Sequence, residues 1–161
     1  MHSKSIELKS EIHELNQVVA FIEQICDENN IYNHYFGNIL TAVSEAFQNA
    51  IEHGNKFDIN KTVTLQYAAT AKGFQFSISD QGNGFNYSIV KDPTDFLTND
   101  GTQGRGLFTI HSLSDQVYFT NNGSTLNIEF YIASINKELS NKRLEIYKTF
   151  INQGVSIKSI L

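Results

Sequence analysis

From about Tyr32 to Ile51, apolar residues return every three or four positions, at Phe36, Ile39, Leu40, Val43, Phe47, Ala50 and Ile51. That spacing predicts a long helix with one apolar stripe, and such a stripe needs a second surface to cover it. The run stops at His53-Gly54-Asn55, where Gly54 is placed to take the left-handed position past the helix end. The covering surface comes next in the chain. Thr62 to Ala69 and Phe74 to Ser79 alternate with period two around Ala71-Lys72-Gly73, the pattern of an antiparallel hairpin. Residues 117 to 132 repeat it around Asn121-Asn122-Gly123. Upstream, residues 4 to 9 alternate like a short strand, and Ser10-Glu11 resembles a helix start. The first helix carries the stripe Ile12, Leu15, Val19, Ile22 and Cys26 and ends in Asp27 to Asn30. Gly106 to Leu113 and residues 135 to 151, with Leu139, Ile146, Tyr147 and Phe150, return to helical spacing. The order predicts an α+β chain: a two-layer α/β sandwich, with helices on one face of a mixed, largely antiparallel sheet, plus a C-terminal helix.

Composition narrows the class. A chain of 161 residues that is 40% hydrophobic can fill one core, and a second independent domain is not expected. A net charge of −5 without a basic block argues against sequence-independent binding to nucleic acid. The lone Cys26 cannot form an intramolecular disulfide, and its apolar surroundings predict a buried thiol in a reducing compartment. No run approaches the ~18 apolar residues of a membrane span, and no signal-like start is seen. The expected location is the cytoplasm.

Three polar segments interrupt the patterns. In SEAFQNAIEHGN, residues 44 to 55, Glu45 and Asn49 are four apart and share a helix face. There a carboxylate can polarise a hydroxyl and an amide oxygen can bind a cation. Taken alone, such a pair more often lies on a solvated face, and His53 is more often a helix-dipole partner. In DQGNGF, residues 80 to 85, Asp80 directly follows a strand. Its carboxylate can accept from an exocyclic amine, while Gly82 and Gly84 let the backbone approach a ligand; alone, the segment also fits an ordinary turn. In GTQGRGL, residues 101 to 107, a Gly-rich loop feeds a helix and offers free N–H groups and Arg105 to phosphate. A plain flexible loop has the same composition. No P-loop consensus occurs, and the segment does not follow a strand as a dinucleotide fingerprint must. Zinc has no support, for there is neither HExxH nor a Cys pair, and no GxSxG elbow marks a Ser-His-Asp triad. Residues 81 to 104 break every pattern over roughly twice the usual loop length, and 86 to 103 read as a lid.

In this order the three segments resemble the motifs of the GHKL (Bergerat-fold) ATPases, and within these the anti-sigma factor serine-protein kinases of the RsbW and SpoIIAB type. SEAFQNAIEHGN looks like that family's N box, DQGNGF like its first Gly box, and GTQGRGLFTIHSLSDQV like its second Gly box with the following helix. DPTDFL is similar to lid sequences of the group. The resemblance covers about residues 5 to 132. It implies that Glu45 is the catalytic base and that Asn49 binds Mg²⁺ and, through it, the nucleotide. It implies further that Asp80 binds the adenine amino group beside the turn of Gly82 and Gly84, and that Gly104, Arg105, Gly106 and Leu107 form the phosphate-facing segment. Thr125 resembles a strand threonine near adenine, a weaker match. The cofactors implied are ATP and Mg²⁺. The activity implied is a serine/threonine protein kinase that phosphorylates a STAS-type anti-sigma factor antagonist and, in the other arm of a partner switch, sequesters a sigma factor. A homodimer is implied, with no direct nucleic-acid or membrane partner.

Residues 1 to 134 are expected to form the ATP-binding kinase domain. Residues 135 to 161 form a helical extension that the resemblance leaves unexplained; it packs back, dimerises or binds a partner. Two other functions compete. One is a nucleotide-dependent protein-binding regulator without turnover, since a fold does not fix function. The other is the catalytic domain of a two-component histidine kinase, which needs a helix pair with a phosphoacceptor His upstream. Residues 1 to 31 are too short for that pair, and His13 has no second helix beside it.

Overall fold

The computed structural model describes residues 3–31, 33–84, 105–131 and 142–149. The elements are β1 (Ser3–Lys9), α1 (Leu15–Glu28), α2 (Asn33–Asn49), β2 (Thr62–Ala69), β3 (Gly73–Ser79), α3 (Arg105–Leu113), β4 (Gln116–Thr120) and β5 (Thr125–Tyr131). A further helical segment, α4, spans 142–149. Both hairpins and all four helices fall where periodicity placed them, and of the 135 to 151 stretch only 142–149 lies within the described residues.

The five strands form one sheet in the order β1-β2-β3-β5-β4. Every pairing among the described strands is antiparallel, which corrects the expected mixed sheet. β3 and β4, joined through α3, do run the same way, but β5 inserts between them and keeps them from pairing. The register sets Leu8 opposite Val63, Leu65 opposite Ile78, and Phe76 and Val117 opposite Ile128, so that alternate side chains share one apolar face. That face meets Ile22 and Ile25 of α1, Ile39, Val43 and Phe47 of α2, and Ile110 and Leu113 of α3 in a single core. Tyr67, Phe76 and Phe130 cross it as a row of tilted and edge-on rings, with centroids 5.5 and 6.1 Å apart. The opposite face is polar. Gln75 Nε2 and Ser77 Oγ donate to Asn127 Oδ1 at 3.1 and 2.7 Å, and Asn127 Nδ2 donates to Thr120 Oγ1 at 3.0 Å. The helices therefore cover one face of the sheet, a two-layer α+β arrangement.

Two helix details differ from the pattern. A tight 3₁₀ turn, Ile12–Glu14, precedes α1 and shifts the phase of its stripe. Val18, not Val19, is fully buried, Phe21 and Ile25 join Ile22 and Cys26, and Ile12 is 47% exposed. At the other end of the pair, α2 does not stop on a left-handed Gly54. It passes into a π turn, Ala50–Gly54, and the left-handed residues are Lys56 and Phe57, at φ 56° and 58°. Cys26 is buried and free, and burial pushes its thiol up to about 11, so it is protonated and inert at neutral pH. No helix among the described residues is long and apolar enough to cross a membrane.

Candidate functional site

The C-terminal half of α2 and the turn after it reach both ends of one polar site. At one end, Glu45 and Asn49, a turn apart, face the first turn of α3. A Cβ built on Gly106 would fall on Glu45 Oε1 and come within 2.9 Å of Asn49 Nδ2. Only glycine lets α3 begin this close to both polar groups. Burial, followed by the neighbouring Glu52, raises the Glu45 carboxyl above the ordinary glutamate range, and the opposing charges of Arg105 and His53 do not cancel this. A carboxylate so placed holds a proton more firmly than one in water, as a general base must. Asn49 Nδ2 is buried without a hydrogen-bond partner. Arg105 opens α3, where the leading N–H groups have no helical acceptor and the dipole favours an anion. Leu107, one residue beyond Gly106, is partly buried against the core and holds the helix down. Gly104, the 86 to 103 lid stretch and DPTDFL lie outside the described residues.

At the other end the chain leaves β3 through Asp80, whose N–H donates to Ser124 O at 3.0 Å. Gly82 N–H donates back to Asp80 Oδ1 at 2.8 Å. The turn is tied to α2 by Asn55, which is 1% exposed. Asn55 Oδ1 accepts from Gln81 N–H at 2.8 Å, and its Nδ2 donates to Thr62 O at 2.9 Å. Thr62 N–H in turn donates to Gln81 Oε1 at 3.0 Å. Gly54 is required here for space, because a Cβ on it would overlap the Asp80 carboxyl group. Gly84 takes φ +69° and lies against the backbone of Asn122 in the β4–β5 turn. Thr125, opposite Ser79 in the sheet, has its Oγ1 2.9 Å from Ser79 Oγ and accepts from Asn121 Nδ2 at 3.0 Å. Burial raises the Asp80 carboxyl above the usual aspartate range, against the contrary pull of Gly82 N–H, the Lys61 ammonium and its own N–H.

The structure thus gathers Glu45, Asn49, Arg105 and Gly106 at one end and Asp80, Gly82, Gly84 and Thr125 at the other. α2 and its π turn connect the two. Sequence reasoning passed over Asn55, Gly54 and Lys61. The first two are the last residues of SEAFQNAIEHGN but read as a helix stop, and their partners lie far along the chain.

The residues fit the ligands that the motifs imply. No group of three or more His, Cys, Asp and Glu side chains among the described residues could enclose a metal. The donors at the Glu45 end are one amide and one carboxylate, hard oxygen ligands of the few that Mg²⁺ takes from a protein when phosphates and water complete its shell. The unpartnered atom of Asn49 is Nδ2, a donor suited to a phosphate oxygen, while Mg²⁺ would take the amide oxygen. Asp80 supplies an acceptor for an exocyclic amine, and the start of α3 supplies donors for phosphate.

Comparison with known proteins agrees with this geometry. The family described as the histidine kinase-like ATPase domain matches residues 8–130. Among solved structures, the RsbU and RsbW domains of Rv1364c from Mycobacterium tuberculosis have a similar fold, with a TM-score of 0.57 and 18% sequence identity. The match covers 81% of this chain and 33% of that one, so the chain spans one third of the length of the structure it resembles. No curated protein sequence matches.

Proposed function

The chain belongs to the histidine kinase-like ATPase domain family, and on that premise we propose that it is an ATP-dependent serine/threonine protein kinase and anti-sigma factor. Its substrate in this reading is a STAS-type anti-sigma factor antagonist, and in the other arm of the switch it sequesters a sigma factor. The protein works as a cytoplasmic homodimer in which residues 1 to 134 form the kinase domain and 135 to 161 its helical extension. One observation carries the reading: a half-buried carboxylate, Glu45, beside the amide of Asn49, whose nitrogen has no partner, and a helix start kept bare by Gly106. The likeness to a structure that contains an RsbW domain supports the choice of substrate class.

Each residue has a definite task. Asp80 accepts the exocyclic amine of adenine and fixes the base. The N–H groups at the start of α3 and the Arg105 guanidinium hold the phosphates by charge. Asn49 offers its amide oxygen to Mg²⁺, which when bound neutralises phosphate charge. Glu45 takes the proton of the serine or threonine hydroxyl, a step that burial of its carboxyl favours.

Titration calorimetry with ATP and Mg²⁺, paired with a radiolabel transfer assay on the cognate antagonist, tests the proposal. Binding with transfer is the expected result. Absence of ATP binding by the folded protein overturns it, and binding without transfer replaces it with a nucleotide-dependent protein-binding regulator.

A further inference from the structure

The regular course of α2 ends in the π turn Ala50–Gly54, a rare element that tends to occur at functional sites. A π turn holds more residues than a turn of α-helix, so the side chain just past it is rotated from where a regular helix would aim it. Here that residue is Asn55. Its N–H donates to Ala50 O at 2.8 Å, which closes the π turn, and its C=O accepts from Asp58 N–H at 3.2 Å. The backbone on both sides of the residue is thus fixed, and Asn55 is 1% exposed.

The side chain so aimed meets one place. Gln81 N–H needs an acceptor and Thr62 C=O a donor, which sets the amide with Oδ1 toward Gln81, at 2.8 Å, and Nδ2 toward Thr62, at 2.9 Å. From Gln81 the constraint passes along the backbone to Asp80. The next amide, Gly82 N–H, donates to Asp80 Oδ1 at 2.8 Å. A Cβ on Gly82 would overlap Gly54 O, so the 81–82 stretch is held between the Asn55 side chain and the Gly54 backbone. A Cβ on Gly54 would in turn overlap the Asp80 carboxyl group, which therefore lies directly against that glycine. Gly82 N–H and Gly54 between them fix how the carboxyl is turned, and Asn55 fixes Gly82 through Gln81.

We propose that Asn55 is a positioning residue for base selection: by holding Gln81 N–H it sets the Asp80 carboxyl to meet an exocyclic amine, and so sets how strongly the site prefers adenine to a base without one. This role rests on the kinase reading for its ligand but not for its geometry. Titration calorimetry with Mg²⁺ and either ATP or purine riboside triphosphate, which lacks the exocyclic amine, is run on the full-length wild type, Asn55→Ala and Ile25→Val. Ile25, fully buried on α1, takes no part in these hydrogen bonds, so Ile25→Val lowers stability from elsewhere in the core. Urea denaturation and circular dichroism show that both variants are folded and how far each is weakened. Wild type should bind ATP more tightly than the analogue. Asn55→Ala should cut that preference by about tenfold, weakening ATP and leaving the analogue nearly unchanged, while Ile25→Val keeps it. A second measurement needs no nucleotide: the Gly82 amide signal in NMR should follow the titration of Asp80 in wild type and Ile25→Val, and lose that dependence in Asn55→Ala. A folded Asn55→Ala that keeps the full preference, or that loses both ligands equally, overturns the role, as does a preference lost equally in Ile25→Val. Absence of ATP binding by folded wild type overturns the kinase reading instead, and the Gly82 signal then decides alone whether Asn55 positions Asp80.

Discussion

The Asp80 end of the site differs from the Glu45 end in how much of its hydrogen bonding the protein completes for itself. Around Asp80, Asn55 and Gln81 bond to one another and to Thr62, Gly82 N–H bonds to Asp80 Oδ1, and Ser79 pairs with Thr125, all at 2.8 to 3.0 Å. Burial raises the carboxyl at both ends, but around Glu45 the buried Asn49 Nδ2 is left unpartnered. An unpartnered buried amide costs about 1–3 kcal/mol until something pairs with it. On the proposed kinase reading the contrast follows the ligand: a base would be recognised by fixed donors and acceptors, so its end is finished in advance, whereas a transferring phosphoryl group would bring moving charge and a metal, so its end is left for them to complete.

The strongest way to sharpen this contrast is to remove the group to which the proposed mechanism gives a role only during chemistry. Glu45→Ala should reduce phosphate transfer by about 10²–10⁴-fold while ATP affinity, set at the finished end, stays nearly the same. A radiolabel assay beside calorimetry checks both halves, and a matching fall in affinity would erase the division of labour. Asp80→Asn attacks the finished end directly. It should weaken adenine binding by the ~1.5–3 kcal/mol of a charge-assisted hydrogen bond, read by calorimetry with ATP and with an analogue that lacks the exocyclic amine.

Asn55→Ala breaks the comparison from within. It removes the tie between α2 and the Asp80 turn and strands Gln81 N–H and Thr62 O, so stability should fall by about 1–3 kcal/mol in urea denaturation. Amide exchange over 81–84 should accelerate as the turn loosens, while Glu45 and Asn49 keep their places.

The smallest effect is electrostatic. Glu45 has its carboxyl raised by burial, so the folded state holds that proton more tightly than the unfolded chain does. Its contribution to stability therefore falls as pH rises from the ordinary glutamate range through the raised folded value, and the cost is complete above it. Glu45→Gln should make the ligand-free protein slightly more stable than wild type at neutral pH. The advantage should vanish below the ordinary glutamate range, and denaturation at several pH values shows whether it does.

The same contrast explains what could be read from the chain. Glu45 with Asn49, and Asp80 with Gly82 and Gly84, are short-range patterns, legible because a helix repeats near four residues and a tight turn spans a few. The hairpins and the helical stripe of α2 were legible for the same reason. Asn55 was not, because its work is done against Thr62 and Gln81, on segments that only the fold brings beside it. Gly54 was misread in kind: it is small to make room for the Asp80 carboxyl, and the left-handed turn expected there falls on Lys56 and Phe57. The phase of α1 was lost to a 3₁₀ turn of three residues, too short for a periodicity to register. The antiparallel sheet was obscured by β5, whose insertion between β3 and β4 leaves no mark in either strand's own residues.

The edge position of β1 has a consequence for how the molecule is made. β1 pairs with no neighbour in sequence: Lys9 meets Thr62 and Ser3 meets Ala68, with α1 and α2 between. The β2–β3 and β4–β5 hairpins close over short loops and can form while still local, whereas β1 must wait for the largest loop closure between any two paired strands. During synthesis it emerges before its partner exists and stays exposed until β2 has been made. The strand that is made first thus spends the longest time without its partner, and the rim it forms stays open while both helices between them are being made.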